Sequence, residues 1–466
     1  MECFADDPAD FFRDRSSIAH HLPIEEQAEL QLAAVRQRFG ELRGEIPPLE
    51  ALADAMGVDE IRKIEDVAPV LFPHGFYKSF PQHLIHTRDF DALGAWLSRL
   101  SVNDLGALAG RSFESIDGWM DALDNETELE ITHSSGTTGA LSLYPRGKRE
   151  RALQAGMYHM VVAEWLDPID LSRRKADHAT DYAVVWPSYP GGRSAILKGA
   201  GMFRDAVASD PAMFHALLPA PMSSDWQIYV LEAEQARARG APPPAPSEYV
   251  RRKMDEAEEI QRTYDDRLHH LLDTIRFGLA ATPVVIAGGP GNLHRLAAEG
   301  LARGMEPAFA PGSIVRTFGG LKGFPEPEGM EATIKRFAGV DGIGAAYGMT
   351  EVISPFNACV EGNFHVPPWV VPMVLDPASG APMPREGVRK GRAAFMDLLP
   401  TSYWGGIVSA DIVEMDWGRC GCGRTTPHVR PAIVRSPATG ADEYGVGAAS
   451  ADAIHAALHA LTWDIG

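Results

Sequence analysis

The chain has 466 residues, 63 acidic against 43 basic side chains and a net charge of -20. That length calls for two or more subdomains, and the acidity excludes a nucleic-acid polyanion as the main partner. Four cysteines (Cys3, Cys359, Cys420, Cys422) are too few for a disulfide scaffold, no window approaches the roughly 18 to 20 apolar residues of a membrane span, and the acidic start is not a signal peptide, so a reducing cytoplasm is expected.

Helical spacing runs from Glu25 to Leu42 and breaks at Pro47-Pro48, with a second helix from about Leu49 to Met56. Asp89–Leu100 and Ser115–Leu123 also read as helices, which makes residues 1–125 a helical N-terminal region. Glu128–Thr132 is a short extended run that enters a loop of small residues and hydroxyls, Ser134, Ser135, Gly136, Thr137, Thr138 and Gly139. An amphipathic helix follows over Arg149–Trp165. Buried strands are expected at Tyr182–Trp186, Pro283–Ala287 and Ser313–Phe318, the last ending in Gly319 and Gly320.

Between the first two strands, Pro242–Pro246 is a rigid break followed by a long charged helix from Ser247 to about Arg276. Strands alternating with helices predict an α/β core over 126–361 with a mainly parallel sheet, whose ligands bind near glycine turns at the strand ends. The acid-binding walls are expected around Trp186–Gly192 and Ala287–Asn292. From 362 to 435 the texture changes to short strands, Val370–Leu375, Arg392–Asp397 and Ile407–Glu414, a smaller β-rich subdomain. Residues 436–466 form a short tail, with helical spacing over Ala449–Leu461.

Two segments carry the chemistry. The Ser134–Gly139 loop lets backbone N–H groups approach an anion closely and adds hydroxyl donors, which suits a nucleotide phosphate. It lacks the Gly-Lys-Ser/Thr of a Walker A loop, and the neighbouring Arg146 and Lys148 read as solvated. Downstream, Tyr347-Gly-Met-Thr-Glu351 places an aromatic, a hydroxyl and a carboxylate within five residues, matching an adenine face, a phosphate oxygen and Mg²⁺. Each alone has a plain reading, a polar loop and a turn with a buried tyrosine. Their pairing in this order points to ATP-dependent activation of a carboxylate. Lys322 sits in the Gly-Gly-Leu-Lys loop after the expected Ser313–Phe318 strand and is either a surface lysine or a cation for the substrate carboxylate or the departing pyrophosphate. His133 directly precedes the loop, and His294 and His365 read as structural or solvated.

With these motifs in place, the chain resembles the adenylate-forming enzymes, a superfamily that includes acyl-CoA synthetases, luciferases and phenylacetate-CoA ligases. Tyr77-Lys-Ser-Phe-Pro81, Thr317–Gly323, Phe364–Trp369, Leu398–Tyr403, Ala410-Asp-Ile412 and Cys420-Gly-Cys-Gly-Arg424 bring it nearest to the LuxE-like acyl-protein synthetase branch, related to phenylacetate-CoA ligase. The resemblance spans about 60 to 435; the stretch near 170–262 matches nothing in it and reads as an insertion. It implies the large N-terminal domain of such an enzyme: mixed, mainly parallel sheets flanked by helices, plus a small β-rich subdomain.

For the site, the resemblance implies that Tyr347 and Gly348 take adenine, Thr350 the α-phosphate, Glu351 and Thr138 the Mg²⁺, and Thr137 and Thr138 the outer phosphates. Asp411 would take the ribose hydroxyls, and Arg435 would be the hinge-region arginine, although its Val-Arg-Ser-Pro context departs from the usual Gly-Arg-x-Asp. Cys420 and Cys422 stay open three ways: half of a zinc site that Cys359 and a histidine could complete if the fold brings them near, an acyl acceptor, or small residues in a tight turn. The family's C-terminal lid is expected to be truncated or absent, because only Ser436–Gly466 follows Arg435 and that stretch contains no lysine.

The resulting expectation is an ATP- and Mg²⁺-dependent ligase acting on a small-molecule carboxylic acid. It would pass the acyl group to a thiol of CoA or of an acyl-accepting protein that feeds a reductase, or to an amine. The alternatives are an adenylate-binding subunit without catalysis of its own and an ATP-independent acyltransferase.

Overall fold

The computed structural model describes residues 2–13, 19–134, 141–155, 182–208, 210–321, 325–435, 454 and 457–461. It divides into two compact units: one of residues 1–133, 142–157 and 349–466, the other of residues 134–141 and 158–348.

The second unit is built on a parallel sheet. Its strands run in the order Phe214–Ala216, Ala183–Trp186, Val284–Gly288, Ile314–Phe318, Gly344–Tyr347. Ala183–Trp186 and Val284–Gly288 at its centre are short apolar runs buried throughout, as parallel strands covered on both faces are. Alternate residues of one strand serve different cores. Val184 and Trp186 pack with Ala200 and Phe203 of helix Ala195–Ala206. Ala183 and Val185 pack with Leu293 and Leu296 of helix Pro290–Ala302 and Phe337 of helix Met330–Ala338. The strand Ala183–Trp186 and the helix Ala195–Ala206 are integral to this sheet although they fall in the span read as an insertion. The long charged helix is two helices, Glu248–Arg262 and Tyr264–Asp273, continued by a π-helical turn at Thr274–Gly278.

The first unit joins the helical N-terminus to the β-rich segment. Its antiparallel strands run Phe364–His365, His428–Val429, Gly406–Asp416, Val388–Asp397, Val370–Leu375. Two further short strands flank the central one: Phe72–Pro73 pairs with it in parallel and Val434–Arg435 antiparallel. The register between Val388–Asp397 and Gly406–Asp416 jumps from Arg392↔Ile412 to Ala394↔Val408. Three residues, Ser409 to Asp411, therefore face one, a bulge of the kind that re-aims side chains.

The helical region and the β-rich segment, separate in the sequence reading, are tied by buried polar contacts. Gln31, on helix Ile24–Leu42, donates to the Pro368 and Val370 carbonyls. Tyr77 Oη donates to the Trp404 carbonyl at 2.8 Å, and Trp404 Nε1 donates to that of Val70 at 2.9 Å. Such burial of polar groups is tolerated only when each finds a partner. Pro47 and Pro48, read as a break, instead open the helix Pro47–Met56, where a missing N–H costs nothing.

Candidate nucleotide site

In the first unit the site grows from the Gly406–Asp416 strand. Asp411 lies in its bulge, and its N–H donates to Ser409 Oγ at 3.0 Å. Arg435, on the adjoining two-residue strand, is the register partner of Asp411. The parallel strand Phe72–Pro73 delivers the next residue, His74. One Arg435 Nη2 lies 3.3 Å from His74 Nε2. With Arg435 donating, the imidazole carries its proton on Nδ1. That Nδ1 faces the carboxylate, 3.1 Å from Glu351 Oε1, but out of line for a well-formed hydrogen bond.

Arg435, His74 and Glu351 thus form a run of polar contacts, with Asp411 opposite Arg435 in the strand pair. Glu351 is only 9% exposed. Burial pushes its carboxyl up, but the His74 contact, and more weakly Arg435, outweigh burial and hold it below the usual carboxylate range. The result is a near-buried carboxylate that keeps its charge.

A buried polar layer holds the segment that carries Thr350 and Glu351. Arg146, read from sequence as solvated, is 5% exposed and donates through Nη2 to the Thr350 carbonyl. Asp397 accepts from the Ile353 N–H at 2.7 Å and the Leu399 N–H at 3.0 Å, and burial pushes its pKa up to about 6. Glu150, on the helix over 148–155, accepts from the N–H groups of Gly147, Thr401 and Ser402, each at 2.9 Å. These fixed partners leave the Thr350–Glu351 backbone little freedom, which is what a preorganised site needs.

The second unit, taken by itself, carries the other expected nucleotide residues at its strand ends. Phe318 pairs with Ala346, so Gly319, Gly320, Tyr347 and Gly348 leave the parallel sheet together at its C-terminal edge. Tyr347 is buried at 9% exposure, whereas Gly319, Gly320 and Gly348 are exposed and Ser134 is half-buried. This unit also holds a cleft of about 520 Å³, walled by Tyr189, Leu217, Trp226, Met254, Tyr264 and Asn292, among others. Its walls overlap the two segments expected to line the acid pocket and add residues from the helices after 223. Ser135, Gly136, Thr137, Thr138, Gly139 and Lys322 lie outside the described residues. Cys420 and Cys422 stand apart from the Glu351 group in the turn after Asp416, beside Cys359 and His365.

His74 was not singled out from sequence. Its only local signal is a histidine between Pro73 and Gly75 in an aromatic-rich stretch, and its partners are hundreds of residues away.

A solved CoA ligase shares this architecture. A 2-hydroxyisobutyryl-CoA ligase in complex with 2-HIB-AMP and CoA in the thioesterification state aligns with a TM-score of 0.52 at 16% identity, over 90% of this chain and 70% of that one. An open conformation of the same ligase with 2-HIB-AMP and CoA gives 0.49 at 15% identity, over 90% and 77%. ATP-bound MatB from Rhodopseudomonas palustris gives 0.37 at 15%, over 66% and 48%. No family model matches the chain, and no curated protein matches it in sequence. The chain shares the α/β fold of the 2-hydroxyisobutyryl-CoA ligase. Among the described residues no helix is long and apolar enough to cross a membrane.

Proposed function

We propose that this protein is a cytoplasmic ligase that activates a carboxylic acid with ATP and Mg²⁺ as an acyl-adenylate and passes the acyl group to a thiol. The observation that carries the reading is Glu351: a near-buried carboxylate kept ionised by His74 and by Arg435, the register partner of Asp411. A near-buried but accessible ionised oxygen donor fits Mg²⁺, which takes one or two carboxylates plus substrate phosphates. When bound, Mg²⁺ would offset the charge that builds on the phosphate oxygens.

The chain's residues have the following roles in this reading. Tyr347 stacks on adenine and Asp411 accepts the ribose hydroxyls. Thr350 binds the α-phosphate, and Thr137 and Thr138 bind the outer phosphates. Lys322 supplies a cation to the substrate carboxylate or the pyrophosphate. The substrate carboxylate oxygen attacks the α-phosphorus, the bond to the bridging oxygen breaks and pyrophosphate leaves. The walls of the 520 Å³ cleft combine apolar Leu217, Trp226 and Met254 with polar Ser188, Glu258, Gln261 and Asn292, which suits an acid whose body carries both apolar and hydrogen-bonding groups.

For the acceptor, the sequence motifs favour the LuxE-like branch and a protein thioester, while the CoA in the neighbouring ligase's complex favours a CoA thiol. Pyrophosphate release over a panel of carboxylic acids, with ATP and Mg²⁺, tests the reading. Release with at least one acid is expected; none with any acid would sink it. Intact-mass spectra of the protein and of the small molecules then tell a protein thioester from an acyl-CoA.

A further inference from the structure

The two cysteines that the nucleotide site leaves unused are half of a four-residue group. Cys359, His365, Cys420 and Cys422 each present one ligand atom, and these four atoms all lie within 4.8 Å of one another. The three cysteines are free thiols. Cys359 Sγ is 3.9 Å from Cys420 Sγ, and Cys422 Sγ is 3.4 Å from His365 Nε2. A sulfur–sulfur distance of 3.9 Å is far beyond a disulfide. It is close to the edge of a tetrahedron around zinc: Zn–S of about 2.3 Å and Zn–N of about 2.0 Å give S···S of about 3.8 Å and S···N of about 3.5 Å.

The backbone is arranged for it. Cys359 and Cys420 each open a tight turn, their carbonyls accepting from the N–H groups of Gly362 and Gly423, both at 2.9 Å. Gly362 and Gly423 have φ of 76° and 91°, a region that side chains with a Cβ rarely enter. Each turn folds the chain back so that its sulfur points to a common centre. His365 is oriented as well: its Nδ1 lies 3.2 Å from the Thr426 carbonyl and 3.1 Å from Thr426 Oγ1. Donation from Nδ1 leaves the lone pair on Nε2, the nitrogen that faces Cys422. This is the outer hydrogen bond that metal-bound histidines make. Asn363 Nδ2 is 3.4 Å from Cys420 Sγ, a donor for a thiolate.

We propose that Cys359, His365, Cys420 and Cys422 bind a structural zinc ion. Three thiolates and one imidazole are a soft, closed set that selects zinc over Mg²⁺. With four protein ligands no position is left for substrate, so the ion fastens and does not catalyse. It joins the loop at 359–363, the short strand Phe364–His365 and the turn after the Gly406–Asp416 strand. That turn also holds the N-terminal region, since the Thr425 N–H donates to the His20 carbonyl and Thr425 Oγ1 to that of Leu22. The ion would thereby pin residues near both ends of the chain. The same ligation removes Cys420 and Cys422 as acyl acceptors, because a ligated thiolate is not a free nucleophile.

The proposal does not depend on adenylation. The test is the metal content and zinc-edge X-ray absorption of the full, untagged chain purified from zinc-supplemented medium. One zinc per chain, with three sulfurs at about 2.3 Å and one nitrogen at about 2.0 Å, is expected. A chain without zinc, or with zinc bound only by oxygen and nitrogen, overturns it. Because these readings use the unmutated protein, they stand even if Cys422→Ser or His365→Gln misfolds; where those variants fold, each is expected to lose the ion. An acyl group found on Cys420 or Cys422 after incubation with ATP and acid also overturns the proposal.

Discussion

The Glu351 cluster and the cysteine cluster both depend on the Gly406–Asp416 strand. One sits along its flanks, where Phe72–Pro73 and Val434–Arg435 pair with it. The other sits beyond its end, in the turn at Cys420. The first offers a hard oxygen donor kept charged by neighbours that do not fully enclose it. The second offers three sulfurs and a nitrogen that enclose a centre completely. One sheet thus supports two ligand sets of opposite softness, one suited to an ion that comes and goes with its nucleotide and the other to an ion that stays.

The widest contrast is expected from removing the hard donor. Glu351→Gln keeps the shape but deletes the charge, and pyrophosphate release should fall about 100-fold or more while ATP binding by calorimetry survives. If release continues at its original rate, Glu351 is not the charge that matters. Next, Cys420→Ser or a strong chelator should remove the zinc and lower the melting temperature by on the order of 5 °C, read by differential scanning calorimetry. An unchanged melting temperature would mean that the soft cluster holds nothing.

A smaller effect separates positioning from charge. His74→Ala takes away the group that holds the Glu351 carboxyl down, so burial dominates and its pKa rises. The wild-type carboxylate stays ionised below the usual range and loses its charge only as pH falls through that lowered value. In the variant the acid limb of the pH–rate profile should move to higher pH, with a loss of about tenfold at neutral pH. Arg435→Ala, at an exposed position, should shift that limb in the same direction but change the rate by no more than about threefold. A profile unmoved by either substitution would uncouple Glu351 from both neighbours.

Much of the parallel sheet was legible in the sequence. Val284–Gly288 and Ile314–Phe318 are apolar runs closed by glycines, and nothing in their context competes with that pattern. The strand Val370–Leu375 coincides with its expected limits for the same reason. The charged helix was overread, because its polar periodicity continues across Thr263 although the helix does not. In the candidate site, Asp411 and Glu351 were legible as motif residues, but His74 and Arg146 were not. Their importance lies in partners at 277 and 204 positions' remove along the chain (351 minus 74, 350 minus 146), and spacing carries no trace of such pairings. The zinc ligands show both cases: Cys420-Gly-Cys422 was visible, while its completion by Cys359 and His365, about 60 residues earlier, is a product of the fold.

The two-residue pairing of Phe72–Pro73 with Ile407–Val408 spans 335 positions of sequence (407 minus 72). At a synthesis rate of about 5 to 20 residues per second, Phe72 leaves the ribosome roughly 20 to 70 s before its partner. The parallel-sheet unit, encoded between them, is complete before the antiparallel sheet can close. The N-terminal helices, with the aromatic side chains that later pack on Trp404, must wait through that interval without their partner strands. Newly made chains should therefore call on a holding chaperone for this segment in particular, and slowing translation between residues 349 and 406 should lengthen that dependence.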